Sequence, residues 1–311
     1  MIGVNRRRMM GGGGDFDWSK QYLTFEAVES GTFKNSLNVV YYSLDGGSTW
    51  ISLAANTDTP TVLAGDMIMW KAELTPTQDD GVGTFTGSGE FNAMGNPMSL
   101  HYGDNFRNYT SSKTNAYRKL FYNSKIVSAE NLKLIDISVG ARYYHSMFYG
   151  CSSLIAAPEI PATSCGLDGC NSMFYGCTSL TVAPELHVTT TARYWAMYMF
   201  YGCTNLIQAP SVLPATDIGA GGYYHMFRNC SSLEVAPVIM ATSSSGMSEM
   251  FRGCSKLRYI KAMFTETPNA DNWVNGVASS GVFAKRSDAT WENAFGVNAI
   301  PTGWTVETFQ V

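Results

Sequence analysis

One eight-residue pattern recurs five times along the second half of the chain. Its clearest copies begin at Met147, Met173 and Met199 and read Met-Phe-Tyr-Gly-Cys, followed by two small polar residues and Leu. Looser copies begin at Met226 and Met250, and the cysteines of successive copies are 26, 26, 27 and 24 residues apart. A fixed period in the twenties is typical of a leucine-rich solenoid, in which each coil buries its apolar face only by stacking on its neighbours.

Each copy is interpreted as one coil of this solenoid. The Met-Phe pair is predicted to lie in a short helical turn that faces the core, and the following Gly lets the chain leave that turn. The Leu should begin a short strand, as in Leu154–Ala157 and Leu206–Ala209. A Pro such as Pro158 ends that strand, because Pro cannot donate to a sheet. Adjacent coils would then lie about 4.8 Å apart in a parallel ladder.

The repeat cysteines occupy one equivalent position in the coil. This predicts a ladder of small buried side chains rather than a metal site or disulfides, because neither a Cys-x-x-Cys pair nor a Cys/His cluster is present. Cys165 and Cys170 lie outside the ladder, and a disulfide between them is left open. The predicted ladder consists of Cys151, Cys177, Cys203, Cys230 and Cys254.

The predicted fold class is mainly β with short helices. Short β segments separated by turn residues favour an antiparallel β-sandwich over residues 15–105. The leucine-rich-repeat solenoid follows over residues 106–265, and residues 266–311 form a C-terminal cap. Within the first domain Ser43–Trp50 resembles the Asp-box hairpin, in which Asp45 accepts turn N–H bonds and Trp50 packs back on the hairpin. That motif folds a hairpin and carries no catalytic group.

Residues 1–14 are predicted to be a flexible basic and glycine-rich arm. Two interpretations are open: a disordered start, or an anchor peptide that orders on a larger assembly. A short basic arm directly after Met1, with no apolar core, favours a protein that does not use the secretion pathway. The residues of the candidate anchor are Arg6, Arg7, Arg8, Gly11, Gly12, Gly13 and Gly14.

Composition narrows the function classes. The formal net charge is −4, which argues against nucleic acid as a partner, because phosphate neutralisation needs a basic face. No stretch approaches the ~18 apolar residues of a membrane span. The four histidines are scattered, and neither paired carboxylates nor a cofactor motif can be picked out. The sequence therefore predicts no enzyme, no metal and no cofactor.

Aromatic doublets recur ahead of the repeated pattern. Tyr and Trp are favoured at contacts because they supply area at low entropic cost, so the doublets predict a homo-oligomeric or receptor interface. Packing against the neighbouring coil is the alternative. The candidate interface consists of Tyr143, Tyr144, Tyr194, Trp195, Tyr223 and Tyr224.

The repeat, Met-Phe-x-Gly-Cys with Leu-x-x-Ala-Pro and a following Pro-Ala-Thr, resembles the BspA-like leucine-rich repeats of Bacteroidales and their phages. The flanks are also similar to the caps of such proteins, in Tyr41–Trp50 and in Ile300–Val306. The resemblance implies surface display and adhesion, and it carries over neither an activity nor catalytic residues. Because this chain shows no signal peptide, lipobox Cys or sorting tail, we expect a phage virion protein of the head-fibre or capsid-decoration type.

The expected partners follow from this hypothesis. The arm would bind capsid or other virion proteins, the chain would form a homo-oligomer, and the solenoid would contact a host surface glycan or protein at the virion surface. The alternative is a secreted or cell-surface adhesin of a gut Bacteroidales bacterium. A glycan-processing enzyme is the least favoured of the three.

Overall fold

The structure of the protein is a computed structural model that describes residues 17–110, 115–135 and 138–310. The candidate anchor arm, with Arg6–Arg8 and Gly11–Gly14, lies outside the described residues. The described residues are mainly β with very few helices, and they form an N-terminal sheet followed by a β-solenoid of about seven coils. The solenoid predicted from the repeat is thereby confirmed.

The N-terminal part consists of short strands with one α-helical turn. The helix is α1 (Ser99–Tyr102), and 3₁₀ turns lie at Trp18–Lys20 and Gly103–Asn108. The strands are β1 (Leu23–Ala27), β2 (Phe33–Asn35), β3 (Val40–Ser43), β4 (Ile51–Leu53), β5 (Met67–Lys71), β6 (Phe85–Gly87) and β7 (Phe91–Met94), and the chain then leads into β8 (Ile126–Ser128).

These strands form one six-stranded sheet with the order β4-β3-β5-β1-β7-β8. All of its pairs are antiparallel except β7 with β8, which are parallel. Because β8 lies beyond the predicted domain boundary at residue 105, the N-terminal sheet and the first coil of the solenoid share a strand pairing. One continuous apolar core runs through both parts.

A β-sandwich of two full sheets is not confirmed. The remaining strands, β2 and β6, form only a two-stranded ribbon. The ribbon packs on the six-stranded sheet through Phe33 and Phe85, whose ring centroids lie 5.5 and 5.4 Å from that of Phe25 in β1. The first domain is therefore a sheet covered by a short ribbon and by aromatic side chains.

The solenoid strands are short and parallel, and they differ from the predicted ones. The segments after Leu154 and Leu206 make only isolated bridges, such as Val182 with Gln208. In the coils with Pro158, Pro184, Pro210 and Pro237, the hydrogen-bonded strand follows that Pro. The strands of the solenoid are β9 (Ser138–Val139), β10 (Ser164–Cys165), β11 (Thr190–Thr191), β12 (Val212–Leu213) and β13 (Val238–Ile239), followed by β14 (Tyr259–Lys261), β15 (Val282–Arg286) and β16 (Thr305–Phe309).

The Met-Phe segment is not the predicted helical turn. Backbone N–H groups alternate in this segment: those of Ser146 and Phe148 donate to carbonyls of the next coil at 2.9 Å, whereas that of Met147 donates three residues back at 3.1 Å. Ser146 and Gly150 both have positive φ, +56° and +70°, and this conformation recurs every fourth residue. A helix cannot tolerate such residues, so the segment is a series of tight turns that hydrogen-bond to the adjacent coil.

The parallel pairing continues beyond residue 266 into the predicted cap. β14, β15 and β16 form a three-stranded parallel sheet. Two buried tryptophans complete this end: the indole N–H of Trp273 donates to the Ala299 carbonyl at 2.7 Å, and that of Trp304 donates to the Ala278 carbonyl at 2.8 Å. The last residues therefore extend the solenoid while aromatic side chains fill its end.

Candidate interaction surface

A column of four tyrosines runs along the outside of the solenoid. Each tyrosine follows the buried Phe of its coil, which comes after Leu in the first coil and after Met in the other three, and precedes a residue with positive φ. Successive ring centroids lie 4.8, 4.4 and 4.6 Å apart, and the ring planes are within 12° of parallel. The members of this tyrosine column, all half-buried, are Tyr122, Tyr149, Tyr175 and Tyr201.

The backbone sets the register of the tyrosine column. The Gly150 N–H donates to the Tyr175 carbonyl at 2.7 Å, and the Gly176 N–H donates to the Tyr201 carbonyl at 2.8 Å. These bonds hold each tyrosine beside its equivalent in the next coil. The inner rings cover each other's faces, so the column presents ring edges and phenolic hydroxyls to solvent. It can form a row of hydrogen bonds with a partner.

The phenol of Tyr175, in the middle of the tyrosine column, stays protonated at neutral pH. Burial raises the pKa of Tyr175, and the neighbouring Tyr149 and Tyr201 add to the effect. A neutral hydroxyl can both donate and accept a hydrogen bond. The column is therefore suited to a polar, uncharged partner surface.

The tyrosine column ends at a charged cluster. The guanidinium of Arg228 lies 5.5 Å from the ring centroid of Tyr201. Glu249 accepts bonds from Arg228 and from Arg252, the latter at 2.9 Å, and its carboxylate lies 3.3 Å from His225 Nδ1. The interaction surface thus changes along the solenoid axis from stacked phenols to arginines held by one carboxylate.

The interface predicted from the aromatic doublets is wrong for four of its six residues. Tyr143, Tyr144, Trp195 and Tyr223 are buried in the core and cannot reach a partner. The two remaining members, Tyr194 and Tyr224, are half-buried, with ring centroids 6.3 Å apart. A Tyr194/Trp195 double substitution would therefore remove core packing as well as surface. The structure does not bring the six residues together on one outer face.

The tyrosine column was present in the sequence as the third residue of the repeated pattern. An identical aromatic residue at one position of consecutive copies is the signal that could have found it. Four exposed aliphatic side chains, called the aliphatic set here, lie one or two residues after the repeat Leu of their coils. Its members are Ile155, Val182, Ile207 and Val235.

The cysteine ladder lies inside the coils. All five thiols are fully buried, and each donates to the carbonyl of a Phe in the preceding coil, as Cys177 does to Phe148 at 3.1 Å. Ser124 occupies the equivalent position in the first coil and is also buried. Off the ladder, the sulfurs of Cys165 and Cys170 lie 3.5 Å apart without a covalent bond.

The carbonyl partner changes what a substitution in the cysteine ladder should do. A buried hydroxyl without a partner would make the Cys177→Ser variant much less stable than the Cys177→Ala variant. A hydroxyl at this position, however, can donate to the Phe148 carbonyl, as the thiol does. We expect both variants to lose about 1–2 kcal/mol of unfolding free energy, from packing. Urea titration measures both. A Ser variant less stable than the Ala variant by more than about 2 kcal/mol would show that the hydroxyl is unpaired.

His145 gives the solenoid an expected sensitivity to acid. Burial lowers its pKa to about 4, and the nearby charges of Arg118 and Arg142 act in the same direction, against Asp168. Between pH 6.5 and about pH 4, His145 is protonated in the unfolded chain but neutral in the folded chain. The free energy of unfolding therefore falls as the pH is lowered through this range, until folded His145 is also protonated. The expected loss is about 1–3 kcal/mol.

The measurement compares wild type with His145→Gln by urea titration between pH 7 and pH 4.5. Gln does not titrate, so the variant should lose less stability over this range. The carboxylates titrate in both proteins and cancel in the difference. Parallel stability curves for the two proteins would show that His145 is freely protonated in the folded state.

The described residues contain no group of three or more His, Cys, Asp or Glu side chains arranged to hold a metal ion. Within residues 17–110, 115–135 and 138–310, no helix combines the length and apolar character needed to cross a bilayer. Comparisons with protein-family models, with curated proteins and with solved structures find no match to this chain.

Proposed function

We propose that this chain is a non-enzymatic structural protein of a phage virion surface, of the head-fibre or capsid-decoration type, whose solenoid contacts the host. The observation that carries the proposal is the tyrosine column, in which one half-exposed residue type repeats at 4.4–4.8 Å along the solenoid. A repeated outward side chain on a stacked core is suited to contact over an extended area. The resemblance of the repeat to BspA-like proteins of Bacteroidales and their phages supports the virion location.

The first experiment tests the location. Mass spectrometry of purified phage particles should detect the chain in stoichiometric amounts. Deleting residues 2–14 should leave the melting temperature of the isolated protein unchanged and abolish its co-sedimentation with particles. If the truncated protein still co-sediments fully, the arm is not the anchor, and the N-terminal sheet becomes the docking element. Absence from particles, together with export to the bacterial surface, would favour the adhesin alternative.

The second experiment tests the contact surface. Tyr149→Ser with Tyr175→Ser removes the centre of the tyrosine column, and we expect at least tenfold weaker binding to host cells. The matched control is Ile155→Ser with Ile207→Ser, which removes two exposed side chains of the aliphatic set. Equal loss in both double variants would mean that the tyrosine column is not the contact. Binding lost only in the control would place the contact on the aliphatic set.

A further inference from the structure

An open cleft of about 470 Å³ lies on the N-terminal sheet, away from the solenoid. β3 and the residue before β4 form one wall, the end of β5 forms the floor, and the 3₁₀ turn after α1 forms the other wall. The volume is within the range of small-molecule sites, about 300–1,000 Å³. The residues that line the cleft include Tyr41, Trp50, Lys71, Glu73, Gly103 and Asp104.

The hairpin at residues 43–50 holds the aromatic wall in place. The Asp45 carboxylate accepts bonds from the Thr49 N–H at 2.9 Å and from the Thr49 hydroxyl at 2.6 Å. The next residue, Trp50, packs edge-on against the Tyr22 ring with centroids 4.9 Å apart. Tyr41 also lines the cleft, and it is 44% exposed. The hairpin that resembles an Asp-box therefore holds Trp50 at the cleft.

The floor and the opposite wall carry fixed charges. The Lys71 ammonium lies 2.8 Å from both carboxylate oxygens of Asp104 and 4.4 Å from the Trp50 ring centroid. The Tyr22 hydroxyl donates to Asp104 at 2.7 Å. The bond from Lys71, and then that from Tyr22, lowers the pKa of Asp104, so this carboxylate is ionised at neutral pH. These bonds fix the orientation of the Asp104 carboxylate and leave it some capacity to accept a hydrogen bond from a ligand.

Glu73 supplies a second acceptor. Its side chain is exposed, and among the described residues no hydrogen bond or ion pair engages its carboxylate. Gly103 lies against it with φ of +52°, and a Cβ there would approach Glu73 Oε1 to 3.2 Å. The turn therefore leaves the glutamate room at the edge of the cleft. Together the walls combine aromatic surface, one ammonium donor and two carboxylate acceptors.

We propose that this cleft binds one or two neutral sugar units of a glycan. A pyranose ring has a C–H face, which packs on aromatic side chains, and a rim of hydroxyls, which need both donors and acceptors. Tyr41 supplies the exposed aromatic surface, and Trp50, with Lys71 over its ring, borders it. Glu73, Asp104 and Lys71 supply the polar partners. Lys71 neutralises Asp104, so a neutral ligand fits better than an anion. The proposal does not depend on where the protein is displayed.

The experiment titrates the isolated full-length protein, labelled with ¹⁵N, with a panel of probes. These are neutral glucan, mannan and galactan oligosaccharides, a cationic chitosan tetramer and sialyllactose. A neutral oligosaccharide should shift the indole N–H signal of Trp50 in a saturable way. Glu73→Gln and Tyr41→Ala should each weaken that binding at least about tenfold, because each removes one contact. Glu159→Gln, an exposed glutamate on the solenoid, is the matched control and should bind like wild type.

Three outcomes would overturn the proposal. In the first, no neutral oligosaccharide of the panel shifts the Trp50 signal. In the second, a neutral oligosaccharide binds but both cleft variants keep wild-type affinity, which places its site elsewhere. In the third, only the chitosan tetramer binds and Glu73→Gln abolishes this, which makes the cleft a cation site. Far-ultraviolet circular dichroism of each variant checks that the fold is retained.

Discussion

Replacing Phe174 with Ala is expected to destabilise the solenoid by about 3–5 kcal/mol, the usual cost of removing a buried Phe. Phe174 is fully buried, and its ring stacks between those of Phe148 at 5.4 Å and Phe200 at 5.5 Å, within 3° of parallel. The cavity left by Phe174 would remove contacts with both adjacent coils, and each coil is stable only through its neighbours. Urea titration followed by circular dichroism measures the loss.

The matched control for this prediction is the adjacent residue. Tyr175→Ala also removes a stacked ring, but that ring is half-exposed, and we expect a loss of at most about 1.5 kcal/mol. The comparison separates burial from stacking, because both residues have parallel neighbours on either side. Equal losses for the two variants would contradict the assignment of Phe174 to a closely packed core.

The second large effect is expected at Gly222. An added Cβ would lie 2.0 Å from the Ile218 carbonyl oxygen and 3.2 Å from Cδ1 of Trp195. Neither contact can be relieved by rotating an exposed side chain, because the first atom belongs to the backbone and Trp195 is fully buried. We expect Gly222→Ala to cost about 3 kcal/mol or more.

Gly176→Ala is the control for this steric argument. Gly176 has φ of +69°, but the nearest atom to an added Cβ is Gly150 Cα at 3.9 Å. The variant should therefore cost only the left-handed strain, about 1–2 kcal/mol. Differential scanning calorimetry ranks the two proteins. A Gly222 variant that melts with or above the Gly176 variant would show that the chain around Ile218 moves readily.

The sequence predicted the stacking of coils because the repeat carries it directly. Identical Phe and Cys residues at one period must occupy equivalent positions, and the structure aligns them across coils. The local conformation could not be predicted in the same way. A Met-Phe pair before Gly is compatible with a helical turn, and only the positive φ of Ser146 and its equivalents excludes one. Ser has no strong preference for that conformation, so tertiary hydrogen bonds decide it.

The interface predicted from the aromatic doublets was wrong for a related reason. In a strand, neighbours alternate between core and solvent, and in a helix a face recurs every three or four residues. The turn segment follows neither rule, and it buries both Tyr143 and Tyr144. The cleft could not be predicted from the sequence because Trp50, Lys71 and Asp104 come from three separate parts of the chain. Only the pairing of β3 with β5 and the turn after α1 bring these residues together.

The parallel pairing of β7 with β8 gives the solenoid a direction of growth. The first coil pairs with β7 of the N-terminal sheet through β8, and its Phe121 ring centroid lies 5.8 and 6.3 Å from those of Phe25 and Phe91 in that sheet. Every later coil can then nucleate on a completed surface instead of forming one alone. We expect the N-terminal sheet to act as a template, so that amide protection against hydrogen exchange declines from that end towards β16. Coils could then be added or removed at the far end without loss of the template.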